Sequence, residues 1–185
     1  MAAPNPAVIL VDVSGSVGQP GGEGIRSPDP AFNRLGEVTR QGWLKEAAIV
    51  RWLMRNLEAT GATIHLYEFG SAAKEVEMRP GFVNTHESVL SGYDYVPVGN
   101  QAATNPHYGV ELAKNKVKGP VDLFVITDGL FHHPSLNEAI GSWAEKVTII
   151  TFGNIGFPPE RATEYGWELK EFAAETKKQS RPIVK

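Results

Sequence analysis

Cysteine is absent from the 185 residues, so disulfides, thiolate metal sites and a cysteine nucleophile are all excluded. A surplus of basic charge is lacking too: 18 Lys and Arg stand against 21 Asp and Glu, a formal net charge of −3. That balance excludes a nucleic-acid binder held by phosphate contacts. Lys114, Lys116 and Lys118 make only a small patch, of the kind found at a solvated helix end. No apolar run approaches the roughly 20 residues a bilayer requires, so no membrane insertion is expected. The start, Met-Ala-Ala-Pro-Asn-Pro, has neither a basic region nor an apolar segment of signal-peptide length. A cytoplasmic location is the expectation, with a virion or a cell surface left open.

What is present is a globular composition, 42% hydrophobic and 21% charged, in a chain long enough to bury one core unaided. Residues 1–185 are expected to form a single domain. The apolar run Ala7-Val8-Ile9-Leu10-Val11 reads as a buried strand and leads straight into Asp12-Val13-Ser14-Gly15-Ser16. Residues 17–41 are rich in glycine and proline and read as an insertion loop at the rim. Trp43 to Thr60 is an expected helix, with Ile49, Val50, Leu53, Met54 and Leu57 in one stripe, Arg51, Arg55 and Glu58 opposite, and Gly61 as its stop.

Further on, Thr63 to Phe69 reads as a second buried strand, and Glu75-Val76-Glu77-Met78-Arg79 as an exposed edge strand. A short helix is expected over His86 to Leu90, and Gly92 to Ala103 as loop. Pro106 opens a helix bearing Gly109, Leu112, Ala113 and Val117, which Gly119-Pro120 ends. Val121 to Thr127 and Val147 to Phe152 are further apolar strands, separated by a helix from Pro134-Ser135 through Ala144. A last amphipathic helix is expected from Pro159 to Lys178, with Tyr165, Leu169, Phe172, Ala173 and Thr176 in register; 180–185 is a tail. Trp43, Trp52, Trp143 and Trp167 fall on expected helices and read as core contacts. Strands alternating with helices predict an α/β fold: a doubly wound, mainly parallel sheet covered on both faces.

In such a sheet, ligands bind beyond the carboxyl ends of the strands. Three polar groups satisfy that filter: Asp12, Ser14 and Ser16 after the first strand, Asp128 after Ile126-Thr127, and Thr104-Asn105 ahead of Pro106. Hydroxyls and carboxylates without His or Cys among them suit a hard cation, with Mg²⁺ ahead of Mn²⁺ and Ca²⁺. If the hydroxyls touch the metal while the aspartates act through water, the ion keeps much of its charge and an unfilled position. It then seeks an acidic oxygen from a partner. Without metal, two carboxylates about 5 Å apart repel by roughly 3 kcal/mol at an effective dielectric of about 20.

These segments, Asp12-Val13-Ser14-Gly15-Ser16, Thr104 and Ile126-Thr127-Asp128-Gly129, together resemble the metal-ion-dependent adhesion site (MIDAS) of von Willebrand factor A domains, including integrin I domains. The resemblance spans nearly the whole chain. It implies a Rossmann-like sheet with one short antiparallel edge strand and a protein-binding surface at its top. Carried over residue by residue, it makes Ser14, Ser16 and Thr104 direct ligands and Asp12 and Asp128 mostly water-mediated ones. It further implies a partner's Asp or Glu completing the coordination, and a last helix, here about 160 to 178, that slides in members that switch. Small members serving in assembly or beside AAA+ ATPases make a scaffold or adaptor role the expectation. Two features depart from the family: Ala102-Ala103 stands where a glycine pair is common, and the 17–41 loop is long. Asp29, Glu23 or Glu37 could cap the ion from within that loop.

Other classes have their own signatures. A Mg²⁺ phosphohydrolase of the aspartyl-phosphate type wants a second carboxylate two residues after its nucleophile, where this chain has Ser14. No P-loop, dinucleotide fingerprint or Gly-x-Ser-x-Gly elbow occurs, so the chain is not expected to be an enzyme. A structural subunit of a cellular or viral assembly, with the metal as a staple, is the first alternative, and the Mg²⁺-dependent phosphohydrolase the second. Asn105, His107, His132 and His133 lie just beyond site segments and could form a partner-binding rim. The plainer readings are a helix cap for Asn105 and exposed loop positions for the histidines.

Overall fold

The structure, a computed structural model, describes residues 3–14, 42–76, 103–128, 131–152 and 157–172. The expected insertion loop 17–41, the short helix at 86–90, most of the 92–103 loop, Ala102, Ser16, Gly129 and the tail 180–185 lie outside these residues. The elements in chain order are β1 (Ala7–Asp12), α1 (Gly42–Ala59), β2 (Ile64–Phe69), β3 (Ala73–Val76), α2 (Pro106–Lys114), β4 (Val121–Thr127), α3 (His133–Ile140), β5 (Ala144–Phe152), α4 (Pro159–Tyr165) and β6 (Glu168–Phe172).

The six strands form one sheet in the order β3-β2-β1-β4-β5-β6. Only β3 runs antiparallel, paired to β2 at the sheet's edge. The expected α/β, mainly parallel, doubly wound fold is therefore what the chain adopts. β1 lies centrally, in register with β2 from Ala7↔Ile64 to Asp12↔Phe69 and with β4 from Ala7↔Asp122 to Val11↔Ile126. Chain order reverses between β1 and β4, which makes their carboxyl ends the switch-point crevice.

Alternation along the strands separates two cores. Ile9, Val11, Leu66, Ile126 and Ile150 meet Ile49, Val50, Leu53 and Met54 of α1. Val8, Leu10, Tyr67, Leu123, Val125 and Ile149 meet Val110 and Ala113 of α2, Leu136 and Ile140 of α3, and Ala162 of α4. At Gly109 α2 comes so near the sheet that an added Cβ would lie 3.0 Å from Leu10 Cδ2. No helix among the described residues is long and apolar enough to cross a membrane.

Four expectations are corrected. The helix expected from Pro159 to Lys178 stops at Tyr165, because Gly166 takes the left-handed conformation (φ 74°) as its C-cap. Glu168–Phe172 then pairs in parallel with Thr148–Phe152 as a sixth strand; residues 173–178 lie outside the description. The helix expected to reach Ala144 ends at Ile140, with Gly141 as its cap, and Ala144 opens β5. Arg51, expected on the solvent side of α1 with Arg55 and Glu58, is only 6% exposed; it flanks the apolar stripe, where a long aliphatic stem packs readily. Trp143 and Trp167 sit in turns rather than on helices: Trp143 donates through Nε1 to the Val117 carbonyl at 2.9 Å, and Trp167 is buried. Trp52 lies on α1, edge-on to Phe172 with ring centroids 5.3 Å apart; the side chain of Trp43 lies outside the description.

Candidate metal centre

All six residues of β1 are buried, so the strand carries its last side chain, Asp12, into the interior at the crevice. The chain then folds back over that carboxylate. Ser14 donates to Asp12 Oδ1 through its backbone N–H at 2.8 Å and through Oγ at 2.6 Å, the Asx-turn habit of aspartate. Thr127, the last residue of β4, donates through Oγ1 to Asp12 Oδ2 at 2.7 Å. Burial nevertheless dominates and pushes the Asp12 carboxyl up to about 6, against the opposing Ser14 and Thr127 hydrogen bonds and with the charge of Asp128 adding to the rise. Neutral donors leave this carboxylate short of positive charge.

Asp128 follows Thr127 directly and is 7% exposed, placing the second aspartate beside the first across the β1–β4 switch point. Thr104 arrives without a strand of its own. The residues on either side of it are tied to the turn after β2: Ala103 N–H donates to Ser71 Oγ at 3.1 Å and Asn105 N–H to the Gly70 carbonyl at 3.0 Å. Val13 N–H in turn donates to the Phe69 carbonyl at 2.8 Å, so the segments bearing Ser14 and Thr104 both dock on the end of β2. Asp12, Ser14 and Asp128 are thus brought together and Thr104 is anchored at the neighbouring strand end. Ser16 lies outside the described residues.

The rim candidates lie at the starts of α2 and α3. Asn105 occupies the N-cap position of α2 but makes no side-chain capping bond. His132 is the N-cap of α3: its Nδ1 accepts from Ser135 N–H at 3.4 Å and lies 2.7 Å from Ser135 Oγ. His133 is half-buried and packs between Phe131 and Phe157, with ring centroids at 4.8 and 4.4 Å. His107 stacks on Tyr108 at 4.3 Å, and its buried Nδ1 has no hydrogen-bond partner among the described residues. Only His132 is the exposed loop residue that the plainer reading expects of all three.

Sequence reasoning missed one residue, Glu46. It lies on α1, is 0% exposed, and among the described residues neither carboxylate oxygen has a hydrogen-bond partner. Burial holds its carboxyl well above the usual range, and the charges of Asp12, Asp128 and Glu68 push the same way, in that order; the backbone N–H of Asp12 acts weakly against them without meeting the geometry of a hydrogen bond. Its backbone placement follows from topology: a crossover helix between parallel strands runs antiparallel to them, so the first turns of α1 lie at the crevice end. The signal was present in the sequence, because Glu46 stands three and four residues before Ile49 and Val50 and so extends the apolar stripe by one turn.

The donors fit a hard divalent cation. All are oxygens, from two carboxylates and two hydroxyls within the described residues, and Glu46, whose carboxylate oxygens have no hydrogen-bond partner among the described residues, feels the charge of both aspartates. Among the described residues no three His, Cys, Asp or Glu side chains stand in the arrangement of a direct cation cage.

No protein-family model and no curated protein sequence matches the chain. Solved structures do. The conserved hypothetical protein BatB from Bacteroides thetaiotaomicron superposes with a TM-score of 0.59 at 14% identity, over 95% of this chain and 94% of that one. An aerotolerance-related membrane protein from Bacteroides fragilis gives 0.56 at 14% identity, over 97% and 96%. Proximal thread matrix protein 1 from the mussel byssus, described in one structure with a zinc-occupied MIDAS motif, gives 0.52 at 14% identity in that form, over 98% of this chain and 44% of that longer one. At such identity these likenesses speak to architecture alone, and the architecture is that of a von Willebrand factor A-like, Rossmann-like fold.

Proposed function

We propose that the chain is a metal-dependent protein-binding module. A divalent cation, Mg²⁺ ahead of Mn²⁺ and Ca²⁺, is held by Asp12, Ser14, Ser16, Thr104 and Asp128, and an Asp or Glu of a partner protein completes its coordination. The observation that carries this reading is Asp12 itself, a carboxylate delivered by the central strand into the interior with only neutral donors bonded to it. The zinc described at the MIDAS motif of the mussel protein adds support by analogy of fold. Serine and threonine ligands leave the ion's charge largely intact, which favours an anionic oxygen from outside. A scaffold, adaptor or assembly component follows, with an AAA+ ATPase or an assembly subunit as the kind of partner. The module is not an enzyme in this reading, since Ser14 stands where an aspartyl-phosphate hydrolase needs its second carboxylate.

Thermal unfolding in Mg²⁺ and in EDTA tests the metal. At a hundredfold excess over Kd the cation adds about 2.7 kcal/mol, a rise in Tm of roughly 5–10 °C for a domain of this size. Asp12→Ala abolishes the difference. Affinity capture with and without Mg²⁺, with Asp12→Ala as control, then tests the partner. Identical wild-type melting curves in Mg²⁺ and EDTA would defeat the reading.

A further inference from the structure

Strand alternation places Leu66 and Ile126 against α1, and the next positions on that face of β2 and β4, moving towards the crevice, are Glu68 and Asp128. Glu46 enters the same space from α1, one turn beyond Ile49 and Val50. A fully buried side chain whose two oxygens lack partners among the described residues has no packing rationale: a leucine would fill the space without the desolvation cost. The charges that act on it most strongly are those of Asp12 and then Asp128, the two aspartates of the cation site. A ligand that satisfies Glu46 must therefore be positive, or bring its own hydrogen-bond donors, and must sit within reach of all three carboxylates. A hydrated divalent cation has both properties.

We propose that Glu46 is a third carboxylate of the cation centre, acting on the ion through coordinated water and not as a direct ligand. This inference rests on the metal-dependent reading above and adds to it a residue outside the Asp-x-Ser-x-Ser, threonine and aspartate set. Glu46 is a positioning residue in this role: it orients the water shell and adds negative charge from a rigid helix. Its consequence for recognition is a division of labour. Acting through water, Glu46 helps hold the ion without taking the coordination position left for the partner's oxygen.

Titration with Mn²⁺ alone, followed by calorimetry on the full chain, tests the proposal. Glu46→Gln keeps the shape and removes the charge; it is expected to weaken Mn²⁺ binding about tenfold or more, the usual cost of losing a group that orients metal ligands. Glu46→Asp is expected to recover part of that loss. Melting in EDTA separates a metal role from a structural one, because Glu46→Gln should melt at or above the wild-type temperature when no cation is present. Glu46→Gln binding Mn²⁺ within twofold of wild type would overturn the inference while leaving the metal site standing. So would weaker binding accompanied by a lower melting temperature in EDTA. A wild-type chain that binds no Mn²⁺ would overturn the metal reading and this inference together.

Discussion

Asp12 and Glu46 are both fully buried carboxylates at the same end of one sheet, yet they are held in opposite ways. Asp12 ends a central strand and accepts three hydrogen bonds from Ser14 and Thr127. Glu46 projects from a helix, and neither of its oxygens has a partner among the described residues. Burial raises both carboxyls, so local bonding and not exposure distinguishes them. Asp12 is integrated into the fold with or without a ligand; Glu46 has no such hydrogen-bonded integration among the described residues. The comparison teaches that a strand end can bond a buried carboxylate into the fold while a helix position leaves one unbonded among the described residues.

Opposite signs in the metal-free protein would be the largest consequence. At pH 4.5 in EDTA, Asp12→Ala removes the acceptor of three buried donors and is expected to cost roughly 2–3 kcal/mol. Glu46→Leu removes an unsatisfied buried group and is expected to stabilise by about 1–3 kcal/mol. Urea unfolding measures both. If the two variants shift stability in the same direction, the contrast between them is lost.

The bonded half of the centre was legible in the sequence, and the unbonded half was not. Asp12, Ser14 and Asp128 announce themselves because each follows an apolar strand, and strand ends in a parallel sheet converge on one crevice. Glu46 carries no such local marker. A charge on an apolar helical stripe acquires meaning only when the helix is docked and its first turns are seen to reach the crevice. The missed strand β6 has a different cause. Tyr165, Leu169 and Phe172 are spaced three or four apart and mimic a helix, while the decisive residue is Gly166, whose positive φ ends α4. In the edge strand β6 the burial pattern does not alternate cleanly, so period 2 is not visible there. Asn105 shows the reverse limit: the capping position was readable, but its side chain makes no capping bond.

A dependence on pH sharpens the comparison next. The raised Asp12 carboxyl means that the fold holds a proton more tightly than the unfolded chain does. That contribution is fully present below the ordinary value of 3.8 and is lost as pH rises through about 6. At about 1.4 kcal/mol per pKa unit, the loss is on the order of 3 kcal/mol. Glu46, raised for the same principal reason, adds to the decline above its ordinary value. Urea unfolding in EDTA from pH 4 to pH 8 should therefore show falling stability, and the Asp12→Asn variant should lack the part that falls between about 3.8 and 6. Saturating Mg²⁺ should flatten the slope, since the cation favours the ionised forms. A wild-type minus Asp12→Asn difference that does not change with pH would remove burial as the dominant influence on Asp12.

The smallest effects distinguish the two oxygens of Asp12. Oδ1 receives both the N–H and the hydroxyl of Ser14, whereas the described donor to Oδ2 is Thr127 alone. Ser14→Ala leaves the backbone bond to Oδ1 in place, so in EDTA it should cost only about 0.5 kcal/mol. Thr127→Val takes the hydroxyl from Oδ2 while keeping the branched shape, and should cost about 1–1.5 kcal/mol. In Mg²⁺ the order reverses: Ser14 is a proposed ligand and its loss should erase most of the cation-dependent rise in Tm, while Thr127→Val should retain it. The reversal arises because Thr127 serves the fold and Ser14 serves fold and ion together. Variants ranked identically in EDTA and in Mg²⁺ would mean that Ser14, like Thr127, is only a support for Asp12.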